Sequence, residues 1–160
     1  MEKVVSSLPF DPAQYPDQRL FIGNSPPDKG PAQAVMPAAK AVQAAKRDGD
    51  FQDILGKSLI TLIYAEWDEY YRHRIAAEFA VTAKDVASDL MGDLRLVRNW
   101  VIHNKSVVQS NAKNLKVLPW SIQVDDRLHI TADMFRQLAD CFNGMRVQIK
   151  NVSAAIGDSA

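Results

Sequence analysis

The chain has 160 residues, 47% hydrophobic and 24% charged, the composition of one globular domain able to bury a core rather than of a disordered segment. Nineteen basic residues balance nineteen acidic ones, so no global field marks a broad nucleic-acid or membrane binder. A single cysteine, Cys141, excludes an internal disulfide and a cysteine-cluster metal site, and no apolar run approaches the ~18 residues that span a bilayer.

The opening MEKVVSSLPF lacks the apolar run of a secretory signal, which points to a cytoplasmic protein. Seven of the eight prolines lie within the first 37 residues, with Gly23, Asn24 and Gly30 among them. Proline supplies no backbone donor and breaks helix interiors, so residues 1–36 read as an extended arm. A short alanine-rich helix is expected from about Pro37 to Arg47, closed by Asp48-Gly49-Asp50. A helical domain over residues 37–152 and a tail over 153–160 complete the expected organisation.

A long second helix is expected from about Phe51 to Phe79. Leu55, Leu59, Leu62, Ile63, Trp67, Tyr70, Tyr71 and Ile75 recur at three- and four-residue steps and form its candidate buried stripe. Thr82 is a candidate N-cap for a third helix, about Ala83 to His103. The stripe of that helix (Val86, Leu90, Leu94, Val97, Val101) falls within a sector about 80° wide. A polar stretch from Asn104 to Asn114 ends it. Residues 115–130 suggest a short hairpin turning at Asp125-Asp126, with Pro119 favouring an edge. Thr131 then caps a last helix carrying Met134, Phe135, Leu138, Phe142, Met145 and Ile149. Cys141, inside that stripe, reads as a small buried hydrophobe. The fold class is therefore all-α, a four- to five-helix up-and-down bundle with a short hairpin or irregular insert before the last helix.

Glycine-rich phosphate loops, nucleophile elbows and zinc-protease helices are all missing from the sequence. No pair of histidines stands at helical spacing, so no metal ligand set and no cofactor is expected. One segment carries chemistry: Arg98-Asn99-Trp100-Val101-Ile102-His103 places a guanidinium, an amide and an imidazole at a helix end. Asn99 and His103, four apart, share a face, whereas Arg98 and His103 lie about 140° apart around an ideal helix. They converge only if the helix loosens near His103 or if two chains share the site. Leu96 and Trp100 give this face an apolar character of its own, which suggests a homodimer through it.

Arg98-Asn99-x-x-x-His103 late in a long helix resembles the Arg-x(4–6)-His motif of the HEPN superfamily, including its preference for a polar residue after the arginine. The resemblance spans residues 50–150 as a helical layout and about ten residues in its specific part. It implies a metal-independent endoribonuclease, dimeric, with motifs from both subunits lining one cleft. The residues suit that chemistry. Cleavage of RNA by its own 2′-hydroxyl needs a base near the hydroxyl and cationic donors at the phosphorus. Imidazole titrates near neutrality and arginine binds phosphate with two N–H groups. Asn99 would orient the imidazole or bond a phosphate oxygen. The alternative for the same residues is a structural one, with Arg98 paired to a carboxylate and His103 placed at a helix C-terminus, where a cation is favoured.

From Leu94 to Val124 there are five basic residues (Arg95, Arg98, Lys105, Lys113, Lys116) and no acidic one. Such a segment fits a local RNA cleft, or a plain solvated loop. Counting along a helical hairpin that turns near residues 80–82 sets Arg98 level with Tyr64 to Glu66. Glu66 is thus a candidate support for the guanidinium, with Asp68 and Glu69 as rivals; Arg72, His73 and Arg74 form a short basic run. The expected activity is RNA cleavage in a toxin–antitoxin, stress or phage-defence setting, with RNA, a second copy and an antitoxin-like protein as partners. Its alternative is a non-catalytic dimeric module that binds RNA, nucleotides or protein.

Overall fold

A computed structural model describes Gln14, residues 17–22, Gly30 and residues 34–150. The expected tail at 153–160 and most of the proline-rich arm lie outside the described residues. The chain is mostly helical, with a few short strands, and divides into two compact units, Met1–Ile54 and Leu55–Ala160.

In the first unit, β1 (Arg19–Ile22) pairs antiparallel with β2 (Ala34–Pro37), Arg19 opposite Pro37 and Ile22 opposite Ala34. Pro37 closes its strand, where the lack of an N–H costs no ladder bond. It leads into α1 (Ala38–Ala45), which buries Ala38, Ala41 and Ala44 at three-residue steps. Asp48 takes up a left-handed backbone (φ 58°) at the stop between helices. Its side chain accepts from Gln52 Nε2 at 3.0 Å, and its N–H donates to Gln52 Oε1 at 3.2 Å, tying down the start of α2 (Asp50–Glu66).

α2 passes into a π turn, Trp67–Tyr71, and then into α3 (Arg72–Glu78), with helical backbone at both junctions. Residues 50–78 therefore form one long helical stretch, as the periodicity predicts, but only Trp67, with Ile63 and Ile75 partly buried, of the expected stripe packs on the core. Gly56, Lys57, Ile60 and Trp67 are buried, whereas Leu55, Leu59, Leu62, Tyr70 and Tyr71 are exposed. Gly56 explains the choice: a Cβ there would stand 2.6 Å from Ile130 Cγ2, so only glycine admits this close approach. Gly56→Leu is expected to cost about 1–3 kcal/mol by overpacking, read as a lower urea midpoint at unchanged m-value.

Thr82 and Asp85 form a reciprocal capping box, but it closes a 3₁₀ turn at Ala83–Asp85 rather than the start of the third helix. The next residues leave helical conformation: β3 (Val86–Ala87) pairs with β4 (Gln148–Ile149), Val86 opposite Ile149. The third helix, α4 (Asp89–His103), thus begins at Asp89, about six residues later than expected, and Val86 enters the core from a strand. Ile149 likewise belongs to β4. The last helix, α5 (Ala132–Asn143), starts where Thr131 accepts from Met134 N at 3.2 Å, as expected, and ends at Gly144 before reaching it.

The expected hairpin within 115–130 does not form. Asp125 does turn the chain (φ 69°), but it and the residues after it pair back onto the segment that follows α4. Leu128 N donates to Ser106 O at 2.7 Å, Val108 N to Asp126 O and Asp125 N to Val108 O, both at 2.9 Å. Left-handed backbone at Lys105 and Ser106 makes this return possible (φ 51° and 66°). Asp93 fixes the other end of the loop. Its carboxylate, in a residue only 2% exposed, accepts from the backbone N–H groups of Lys116 (3.0 Å), Val117 (2.7 Å) and Leu118 (2.9 Å). Three backbone donors with no other partner are met by one anion, an arrangement that holds a loop lacking a ladder of its own. Asp93→Asn, which turns an amide NH₂ toward these donors, is expected to lower the unfolding free energy by about 2–3 kcal/mol in denaturant titration.

Candidate functional site

α4 lies at the centre of the second unit. Leu90, Leu94, Val97 and Trp100 are buried, among a core that includes Val108, Leu118, Trp120, Leu128, Ile130 and Leu138. The Trp100 Nε1–H donates to Asn111 Oδ1 at 2.8 Å. Trp100 is therefore met by the chain's own 104–130 segment, which corrects the expectation that this residue faces a second subunit; Leu96 packs partly against the same core.

What α4 leaves to solvent is the Arg95–Arg98–Asn99 side, facing α2. These three residues line a cleft of about 180 Å³ with Tyr64, Ala65, Asp68 and Glu69. The Arg98 guanidinium carbon stands 5.9 Å from the centre of the Tyr64 ring, and Arg98 Nη1 makes a long hydrogen bond of 3.4 Å to Asn99 Oδ1. A guanidinium lying over an aromatic face keeps its charge while losing rotamer freedom. Burial, then the charge of Asp68, push the Tyr64 phenol pKa up, against the opposing pull of Arg95, Arg72 and Arg98. The phenol is thus a neutral donor at physiological pH.

The level of Arg98 against Tyr64 agrees with the helical-hairpin count. Glu66 does not share this cleft; it lines a separate apolar cavity with Leu62, Ile63, Trp67, Tyr71 and Met91. Helical spacing explains the correction, since Glu66 is two residues, about 200° of arc, from Tyr64. Asp68 and Glu69 occupy the supporting positions. Asp68 is engaged with Arg72 at 2.8 Å.

His103 is exposed in the last turn of α4 and does not line the Arg98 cleft. One chain therefore brings together Arg95, Arg98 and Asn99 and leaves the imidazole a turn further along. The loop lysines divide. Lys105 and Lys113 are exposed, but Lys116 Nζ is bonded to Asp89 at 2.6 Å, an interaction that raises its pKa. The acid-free run in the sequence is thus answered from α4, by Asp89 on the Lys116 ammonium and by Asp93 on the loop backbone. His73 and Arg74 are exposed on α3, Arg74 with its guanidinium carbon 5.4 Å from the Tyr70 ring centre. Burial raises the pKa of the Cys141 thiol, which lies 3.7 Å from the Val117 carbonyl and packs against the core.

Among the described residues no three His, Cys, Asp or Glu side chains converge on a possible metal position, and no helix is long and apolar enough to cross a membrane. Comparison with known proteins found no matching family, no matching curated protein and no matching solved structure.

Proposed function

We propose that this chain is a HEPN-type helical domain that binds RNA along α4 and cleaves it by attack of the substrate's own 2′-hydroxyl. The observation that carries the reading is the cleft in which Arg95, Arg98 and Asn99 stand together, with Arg98 held over Tyr64. In the reaction, Arg98 grips the non-bridging oxygens of the scissile phosphate with paired N–H groups. Asn99 and the neutral Tyr64 phenol supply further donors. His103 removes the 2′-hydroxyl proton, the 2′-oxygen bonds to phosphorus as the P–O5′ bond breaks, and the 5′-oxygen leaves as an alcohol, taking a proton from water. The nucleophile belongs to the substrate and the developing charge meets a fixed guanidinium, so the step requires no metal.

Because His103 lies outside the Arg98 cleft of its own chain, this reading has the imidazole delivered by a second copy, in a homodimer. The setting it fits is cytoplasmic, in a toxin–antitoxin, stress or phage-defence role with a protein antagonist. The same observation favours one second reading, a non-catalytic module that holds RNA, a nucleotide or a protein in the Arg98 cleft. Incubating the purified protein with RNA in chelator separates the two. Degradation that is lost in both Arg98→Ala and His103→Ala supports catalysis; intact RNA that still binds in an Arg98-dependent way supports the module.

A further inference from the structure

The start of α4 lines a second basic cavity, which shares Tyr64 and Arg95 with the Arg98 cleft. The first-turn amides of a helix have no intrahelical acceptor and carry the positive end of its dipole. Ser88, at the N-cap, would ordinarily accept from one of them, but its side chain makes no capping bond. Its Oγ is buried without any hydrogen-bond partner, in a residue 6% exposed. A buried hydroxyl left unpaired is costly, and Ser88 is one of the residues lining an open cavity of about 280 Å³.

The same wall carries Arg72, Lys84, Arg95 and Lys150, with no carboxylate among the described lining residues. Four cations gathered from distant parts of the sequence are notable in a chain of zero formal net charge. The fold delivers each of them. The π turn adds a residue between Tyr64 and Arg72, so that they behave as residues seven rather than eight apart, about 20° instead of 80° around the helix. Arg72 is then fixed by Nε to Val86 O at 3.0 Å and by Nη1 to Asp68 at 2.8 Å. Lys150 follows β4 and is anchored by its N–H to Asp85 O at 2.7 Å. The Asp85 carboxylate is occupied with Thr82, at 3.1 Å from its N–H and 2.6 Å from its hydroxyl. Gly92 borders this open space, where an added Cβ would meet nothing within 4 Å.

We propose that this cavity binds a phosphomonoester dianion, either the phosphate of a free mononucleotide or the 5′-terminal phosphate of an RNA strand. A helix N-terminus with converging cations suits a group carrying nearly two charges better than a singly charged diester. Ser88 donates its hydroxyl to a phosphate oxygen, which resolves its missing partner. The proposal does not depend on cleavage at Arg98. Tyr64 and Arg95 line both cavities, so a strand seated by its 5′ phosphate has a continuous path to the cleft.

The test is a titration of the isotope-labelled full chain with inorganic phosphate, with AMP, and with one short oligoribonucleotide carrying either a 5′-phosphate or a 5′-hydroxyl. Phosphate and AMP are expected to shift the amide resonances of residues 88–92. Ser88→Ala should weaken AMP binding about tenfold without lowering the melting temperature of the free protein, because it removes an unpaired hydroxyl. The double variant Lys84→Gln/Lys150→Gln should weaken it at least as much and flatten its salt dependence. If that variant is unfolded, Ser88→Ala decides alone. Tighter binding of the 5′-phosphorylated strand than of its 5′-hydroxyl twin identifies RNA as the source; equal binding of the two alongside AMP binding identifies a free nucleotide. Unmoved 88–92 resonances at millimolar phosphate and AMP, or an AMP affinity unchanged by Ser88→Ala, would overturn the proposal. None of these substitutions touches Arg98, Asn99 or His103, so a failure here and a failure of cleavage are told apart.

Discussion

Trp100→Glu is expected to leave no cooperatively folded protein. The indole is fully buried and its N–H is paired with Asn111 at 2.8 Å, so the substitution empties a large volume and places an unpaired charge inside it. Trp100→Ala isolates the packing part and should cost about 3–5 kcal/mol. Trp100→Phe, which keeps most of the volume but leaves Asn111 without its donor, should cost about 1–2 kcal/mol. Thermal unfolding by circular dichroism checks the series. A folded Trp100→Glu variant whose only change is a lower mass in sedimentation would return this face to a subunit interface.

Arg98→Ala should lower RNA cleavage about 10²–10³-fold while leaving the fold intact, the scale seen when a fixed donor to a developing oxyanion is removed. Arg98 is half-buried and lies over the Tyr64 ring, so its removal should cost only about 1 kcal/mol of stability. Arg98→Lys keeps the charge but not the paired N–H geometry and should recover only part of the rate. His103→Ala should lose as much activity as Arg98→Ala with a smaller effect on RNA affinity, because in the proposed reaction the exposed imidazole handles a proton rather than the phosphate charge. Single-turnover cleavage together with a separate binding assay reads both quantities.

The elements with a clear helical period could be read from the sequence: α1, the long stretch through α2 and α3, the body of α4, and α5 with its Thr131 cap. What escaped was everything decided by partners remote in sequence. The two-residue β3–β4 pair is too short to have a period, so the start of α4 was displaced onto the Thr82–Asp85 box. Trp100 was assigned to a subunit interface because the segment that packs with it, from Val108 to Ile130, is irregular and carries no pattern to announce its packing. The turn at Asp125 was visible, but its pairing with Val108 rather than with residues before the turn is a long-range choice. For α2, two apolar faces competed and Gly56, a residue without a hydrophobic signal, settled which one was buried. The Arg98 cleft was legible in part. Helical counting placed Tyr64 opposite Arg98, and it ranked Glu66 above Asp68 and Glu69 because residue level alone ignores direction around the axis. The cavity at Ser88 gave no local motif, since its cations come from four separate places in the chain.

In the proposed reaction RNA bound along α4 is cut by its own 2′-hydroxyl, with Arg98 at the phosphate and His103 at the proton. The most direct measurement uses one short RNA in EDTA and the same RNA with a single 2′-deoxynucleotide at the cut site, followed by end-group analysis. Expected are cleavage of the all-ribose strand without added metal, a 5′ fragment ending in a 2′,3′-cyclic phosphate, and no cut at the deoxy position. Cutting of the deoxy-substituted bond, or cleavage that appears only with Mg²⁺, would contradict the proposed reaction.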